Sequence, residues 1–212
     1  MQPVIPYEHY SSALAALDNG GRFYNIFSKA NDDTVSEAEL AKVAGVFTDK
    51  QMMFLFFEMA VQSLSEQDKH ALHRKLSDNL QADYASHRPQ HLLPSKAEEQ
   101  GEASRTAILT GCPRFVTDKT VFSCFIMVPI IVGTVTTFTM IPIMDRYDIY
   151  ELRDEPHSET IFIANVRGAP RLPEELSRFG GILKETSADK EGEKEDRLFL
   201  EVAYYTPLAG SL

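Results

Sequence analysis

Residues 121–144 read VFSCFIMVPIIVGTVTTFTMIPIM, twenty-four positions without a charge. The fold turns on what this stretch becomes. As one helix it would be long enough to cross a bilayer, for which about 20 apolar residues suffice. Its composition points elsewhere. Pro129, Gly133 and Pro142 interrupt it, and Thr134, Thr136, Thr137 and Thr139 crowd its second half. Val, Ile and Thr predominate, and β-branched side chains are stiff in helices but pack well on a pleated surface. The stretch therefore predicts two adjacent buried strands, 121–132 and 134–144, turning near Gly133. A single membrane span at 121–144 is the competing reading, because hydropathy alone does not separate the two.

Upstream of it the chain reads as helices. Ser36-Glu37-Ala38-Glu39 is a capping box, in which hydroxyl and carboxylate satisfy the orphan amides of a helix start. Thr48-Asp49-Lys50-Gln51 repeats the pattern, and Ser65-Glu66-Gln67-Asp68 is a weaker version with Asp as the acid. These signals predict helices near 36–46, 48–63 and 65–83. Two more, near 9–17 and 21–29, flank the break Asp18-Asn19-Gly20-Gly21. The run MMFLFFEMA within the helix from Thr48 is apolar on nearly every face, with Glu58 its only charge. A helix of that kind is buried on all sides or serves an interface, so it is expected at the centre of the bundle, with Phe54 and Phe57 in the core or at an interface.

Residues 86–104, SHRPQHLLPSKAEEQGEAS, are polar and aperiodic and read as a linker. Beyond them lie further strand-like runs at 147–152 and 160–167. Leu172–Phe179 carries Pro173-Glu174-Glu175, a helix-start signal. A closing hairpin of 182–185 and 198–205 follows, with the polar SADKEGEKED as a solvated loop and Leu198, Leu200, Val202 and Tyr204 on one face. The domains predicted are 1–85 helical, 86–104 linker and 105–212 β-sheet. The fold class is α+β: an N-terminal helical bundle followed by a mostly antiparallel sheet with one short helix.

Composition narrows the partners. The chain has 212 residues and a net charge of −10. Residues 1–85 alone carry twelve acidic and seven basic side chains. Binding to nucleic acid rests on Lys and Arg neutralising phosphates, so nucleic acid is not expected. The opening MQPVIPYEHY lacks a basic stretch followed by an apolar run, so no secretory signal is read. Cys112 and Cys124 could pair, but they read rather as buried thiols in a reducing cytoplasm.

Phe23–Phe47 presents a helix, a polar loop, Val35 at the central apolar position and Glu39-Leu40 opening the next helix. This segment resembles an EF-hand, a resemblance confined to about 25 residues. With Val35 at loop position 8, the resemblance puts Ser28 at 1, Ala30 at 3, Asp32 at 5, Asp33 at 6, Ser36 at 9 and Glu39 at 12. Asp32 and Glu39 match calcium ligands, Ala30 offers no side-chain oxygen, and Asp33 replaces the turn glycine. The helix–loop–helix shape is expected and a tight calcium site is not. Leu40–Val46 also reads as the first half of a helix-turn-helix, but the helix that would read DNA offers Met and Phe rather than polar side chains.

His70 with His73, and His87 with His91, have helical spacings that suit a metal, yet no adjacent carboxylate pair completes a set. Thr110-Gly111-Cys112-Pro113 reads as a cysteine at a turn, with Arg105 and Arg114 nearby. No GxSxG, HExxH, P-loop or GxGxxG occurs. No catalytic, cofactor-binding or metal residue is therefore assigned, and no cofactor is expected. The leading function is a soluble, non-catalytic binding or regulatory module for a protein or small ligand, with self-association open and no membrane. The rivals are an enzyme working in a cleft between the helical and sheet parts, and the single-span protein.

Overall fold

The computed structural model describes residues 1–18, 32–46, 48–132, 135–154, 159–166, 168, 170–190 and 193–208, with the backbone alone for 118–132, 135–146, 186–190 and 193–196. The predicted helix at 21–29, the turn at Gly133, and the loop residues Ser28 and Ala30 lie outside the described residues.

Among the described residues, five helices make the first half: α1 (Tyr10–Leu17), α2 (Glu37–Ala44), α3 (Lys50–Val61), α4 (Glu66–His73) and α5 (Asp78–His87). The capping box before α2 forms in full, with Ser36 and Glu39 serving each other's backbone amides, and Gly45 ends the helix at φ 70. Asp49 rather than Thr48 caps α3, accepting from Met52 N at 3.1 Å. The single helix expected over 65–83 is two. Between them Leu76 is buried and bridges Val35, whose carbonyl accepts from Ser77 N at 2.9 Å. Tertiary pairing takes the backbone groups that a continuous helix would need.

Helix α3 is apolar all round because it is covered on two sides. Met53, Phe54, Phe57 and Val61 pack among the other helices with Leu17, Leu40, Leu72 and Leu80. Leu55, Met59 and Ala60 face the sheet, against Val4, Ile108 and Tyr204. Phe54 and Phe57 are core residues as expected. The approach to the sheet is close: a Cβ added to Gly180 would meet Leu55 Cδ1 at 3.0 Å.

The second half is a mixed sheet closed on itself. Its strands are β3 (Thr106–Val132), β4 (Val135–Arg153), β5 (Ile161–Val166), β6 (Ser177–Lys190) and β7 (Glu193–Pro207). β3 pairs antiparallel with β4, β4 with β5, β7 with β6, and β6 with the first residues of β3; β5 and β7 pair in parallel. That circuit is a five-stranded Greek-key barrel of the OB type. Two short edge strands, β1 (Gln2–Pro3) and β2 (Gln90–Leu92), add in parallel to β7 and β3. The barrel interior is filled by Leu109, Tyr150, Leu152, Ile163, Phe179, Leu183 and Leu200.

Residues 121–132 and 135–144 form two antiparallel strands, paired from Val121↔Asp145 to Val132↔Val135 with one bulge between Phe122 and Cys124. They are the outer part of longer strands that leave the barrel as a two-stranded ribbon. Pro129 and Pro142 each have one neighbouring strand there, and proline is tolerated on such edges. Among the described residues no helix is long and apolar enough to cross a membrane.

Four expectations change. The sheet is mixed and closes into a barrel, because parallel pairing of β5 with β7 is non-local and leaves no mark in either strand alone. Leu172–Phe179 is not a helix: Leu172 N donates to Tyr150 Oη at 3.2 Å, and strand β6 begins at Ser177. The polar loop SADKEGEKED is mostly ladder, paired as far as Lys190↔Glu193. Residues 86–104 hold β2, a 3₁₀ turn (Pro94–Lys96) and the one-turn helix α6 (Ala97–Gln100), with Pro94 and Ala97 buried. In the closing strand Leu200, Val202 and Tyr204 do share the buried face.

Candidate functional site

Three elements meet where the helical layer joins the barrel: the end of α5, strand β2 and the start of β3. Between them opens a cleft of about 610 Å3 lined by Tyr84, Arg88, Pro89, Gln90, His91 and Arg105. That volume is in the range of small-molecule sites.

Local sequence puts each side chain there. Arg88 ends α5 in an extended conformation, φ −60 and ψ 144, as a residue before proline prefers. Pro89 is buried and starts the chain into β2, which pairs Gln90 with Ala107 and His91 with Ile108 of β3. Arg105 is held from both sides. Its N–H donates to Glu102 O at 3.2 Å and its carbonyl accepts from Leu183 N at 2.9 Å. The preceding Ser104 sits at φ 65, in the left-handed region that few non-glycine residues adopt. Gln51 of α3 braces the same segment by accepting from Thr106 N at 3.2 Å.

The cleft lining is one-sided in charge. Arg88 and Arg105 both line it, no lining residue is acidic, and among the described residues neither arginine has a carboxylate within ion-pair distance. Arg105 donates from Nη2 to the Arg88 carbonyl at 3.4 Å, while its buried Nε has no partner. The Gln90 side-chain oxygen accepts from Glu102 N at 3.1 Å, and its side-chain N–H groups make no hydrogen bond among the described residues.

A polar network lies under this lining. The hydroxyl of Tyr84 donates to Glu58 of α3, and His91 Nε2 lies 3.7 Å from the other Glu58 oxygen. Burial pulls the Glu58 carboxyl upward, but the contacts with His91 and Tyr84 outweigh it and hold the group below its ordinary range. Burial, and then the neighbouring carboxylate, push the Tyr84 phenol well above its usual value. His73 stacks edge-on against Tyr84 at 4.5 Å, and burial lowers its pKa. Glu58 is the lone charge of MMFLFFEMA, and its isolation was the one sequence signal that a polar partner waited nearby.

The histidine pairs do not assemble a metal site. His70 Nδ1 meets the Glu66 carbonyl at 2.8 Å on the exposed side of α4, whereas His73 turns inward. His87 stacks on Phe54 at the end of α5, and His91 belongs to β2. Among the described residues no three of His, Cys, Asp and Glu are placed to hold a metal. His157 lies outside the described residues. In the EF-hand-like segment Asp33 has φ 68 and pairs with Lys75, and the Glu39 carboxylate is occupied by the N–H and hydroxyl of Ser36.

Cys112 is exposed and unpaired, not buried, and it lies within β3 opposite Arg153 rather than at a turn. Gly111 before it allows close strand approach: a Cβ there would meet the Arg153 carbonyl at 2.3 Å. Cys124 is twelve residues along the same strand, on the order of 30–40 Å away, far beyond disulfide reach.

The outer face of the barrel makes a contrast. Tyr147, Glu151, Phe162, Phe199 and Glu201 lie side by side across β4, β5 and β7. Tyr147 and Phe199 are in ring contact at 6.5 Å. Glu151 pairs with Arg153 at 3.4 Å, and Glu201 pairs with Lys184. These charges on that face are already balanced.

No family model matches the chain, and no curated protein matches it. Among solved structures, the chain is similar to the N-terminal domain of an archaeal MCM, known from a crystal structure at 1.8 Å. That similarity has a TM-score of 0.42 and 8% identity, and it covers 93% of this chain and 98% of the other. At that level it assigns neither family nor function.

Proposed function

We propose that the chain is a non-catalytic binding module whose ligand is a small polar molecule seated in the cleft between α5, β2 and β3. The observation that carries this reading is the pair of arginines, Arg88 and Arg105, lining one cavity with no carboxylate partner among the described residues. In a chain with 31 acidic and 21 basic residues, leaving two guanidinium groups unpaired together is a departure that a ligand would explain. A helix end also attracts cations, which accounts for Arg88 alone but not for the second arginine on another element.

The protonation states favour binding over catalysis. General acid–base work needs a group that titrates near the working pH. Contacts with His91 and Tyr84 hold Glu58 low against burial, burial pushes Tyr84 up, and burial lowers His73. None of these shifts moves its group toward a neutral working pH, which supports the binding reading. The outer barrel face is the less favoured seat because its carboxylates already neutralise Lys184 and Arg153. An OB-type barrel by itself names no ligand. The exposed, unpaired Cys112 fits a cytoplasmic setting.

A fragment screen read by amide chemical shifts tests the proposal. Hits are expected to move the amides of Arg88, Gln90, His91 and Arg105 and to be recovered chemically unchanged. A screen whose hits leave these four unmoved, or whose hits are converted, would overturn it.

A further inference from the structure

We infer that the cleft takes the phosphate group of a small phosphorylated molecule; this rests on the cleft being the ligand seat. The groups the lining leaves unengaged are donors. Arg88 carries five N–H groups with no partner among the described residues, Arg105 commits Nη2 to the Arg88 carbonyl, and the Gln90 amide retains its N–H groups because its oxygen is engaged. The imidazole of His91, exposed at the rim, is engaged with Glu58 through Nε2, so its other ring nitrogen adds a donor only when the ring is protonated. The obvious lining acceptor, the Arg88 carbonyl, is taken by Arg105, and the Tyr84 hydroxyl donates to Glu58. A ligand that satisfies such a wall must be rich in acceptors and negatively charged.

The origin of the donors favours phosphate over carboxylate. They come from three elements, α5, β2 and the start of β3, that line one cleft. A tetrahedral oxyanion offers oxygens in several directions, whereas a carboxylate offers two in one plane. Arginine suits phosphate through its planar fork. The cavity of about 610 Å3 exceeds what a single phosphate fills, which leaves room for the organic remainder of the molecule.

Calorimetry on the full chain at low ionic strength tests this with three probes: inorganic phosphate, glycerol 2-phosphate and malonate. Saturable one-to-one binding of both phosphates, tighter for glycerol 2-phosphate, and weaker binding of malonate are expected. Arg88→Gln and Arg105→Gln should each weaken phosphate binding by about tenfold or more, the loss of one charged hydrogen bond. Arg88→Lys should recover part of that loss, because charge returns without the fork. Circular dichroism checks that the variants fold; Arg88→Gln removes no hydrogen bond or ion pair made within the described residues, so it remains informative if Arg105→Gln unfolds. Malonate binding as tightly as the phosphates would overturn the phosphate assignment. So would phosphate binding unchanged by Arg88→Gln. If no anion binds while neutral fragments still move the Arg88 and His91 amides, the ligand class is wrong and the cleft survives. If neither anions nor fragments act there, the cleft reading falls as well.

Discussion

The helical layer and the barrel are stabilised by the same apolar burial, yet they were specified at different ranges. Each helix start rests on residues three or four apart, such as Ser36 with Glu39, and each is visible in a short window of sequence. The barrel closes through pairings such as Phe162↔Phe199 and Thr106↔Ile182, which join residues far apart in the chain. Helix α3 belongs to both regions, one face in the helical core and the other on the barrel. If that is right, the two regions unfold as one unit, and damage to either is felt by both.

The largest expected effect tests that coupling. Truncating the fully buried Phe54 to Ala should cost about 3–5 kcal/mol. Unfolding followed by far-ultraviolet circular dichroism and by Tyr150 in the barrel should shift together. A variant whose helices melt while the barrel signal stays at its parental midpoint would separate the two regions.

Glu58 ranks next. Glu58→Gln should destabilise by about 1.5–3 kcal/mol, the range for a hydrogen bond to a charged group, read from denaturant midpoints at neutral pH. The pH dependence has a definite sign. A carboxyl held low in the folded state contributes stability that is full above its unfolded pKa, about 4.3, and that is lost as pH falls through the folded value. The parent should therefore lose stability on acidification more steeply than Glu58→Gln over that window. Parallel acid limbs would mean that Glu58 does not carry the floor of the cleft.

Gly45 sharpens the comparison from the local side. At φ 70 with nothing within 4 Å of an added Cβ, Gly45→Ala pays only the left-handed conformation, about 1–2 kcal/mol, measurable as a lowered melting temperature. An unchanged midpoint would show that the turn relaxes.

What could be read in advance follows the same division. Capping residues, the doubly covered α3 and the two strands at 121–144 were legible because each depends on local pattern. Leu172–Phe179 misled because Pro173-Glu174-Glu175 is a sound helix start whose following residues are claimed by β3 and β7. The cleft was hidden for a related reason. Arg88, His91 and Arg105 sit in or beside a polar stretch that looked like a linker, and only the pairing of β2 with β3 brings them together. Glu58 stood out in an apolar run, but Tyr84 and His91 could not be named as its partners from spacing.

The smallest expected effect on stability accompanies the largest expected effect on binding. Arg88→Gln should leave the unfolding free energy within about 0.5 kcal/mol of the parent, since its side chain is exposed and has no partner among the described residues. A clear loss of stability would mark Arg88 as structural.

The most direct measurement of the central claim follows the side-chain Nε–H resonances of Arg88 and Arg105 while inorganic phosphate is titrated into the full chain. Both should move together along one saturating curve, and their shifts should stop growing at the same concentration. Shifts confined to other arginines, with Arg88 and Arg105 unmoved, would contradict a ligand seat between the helical layer and the barrel.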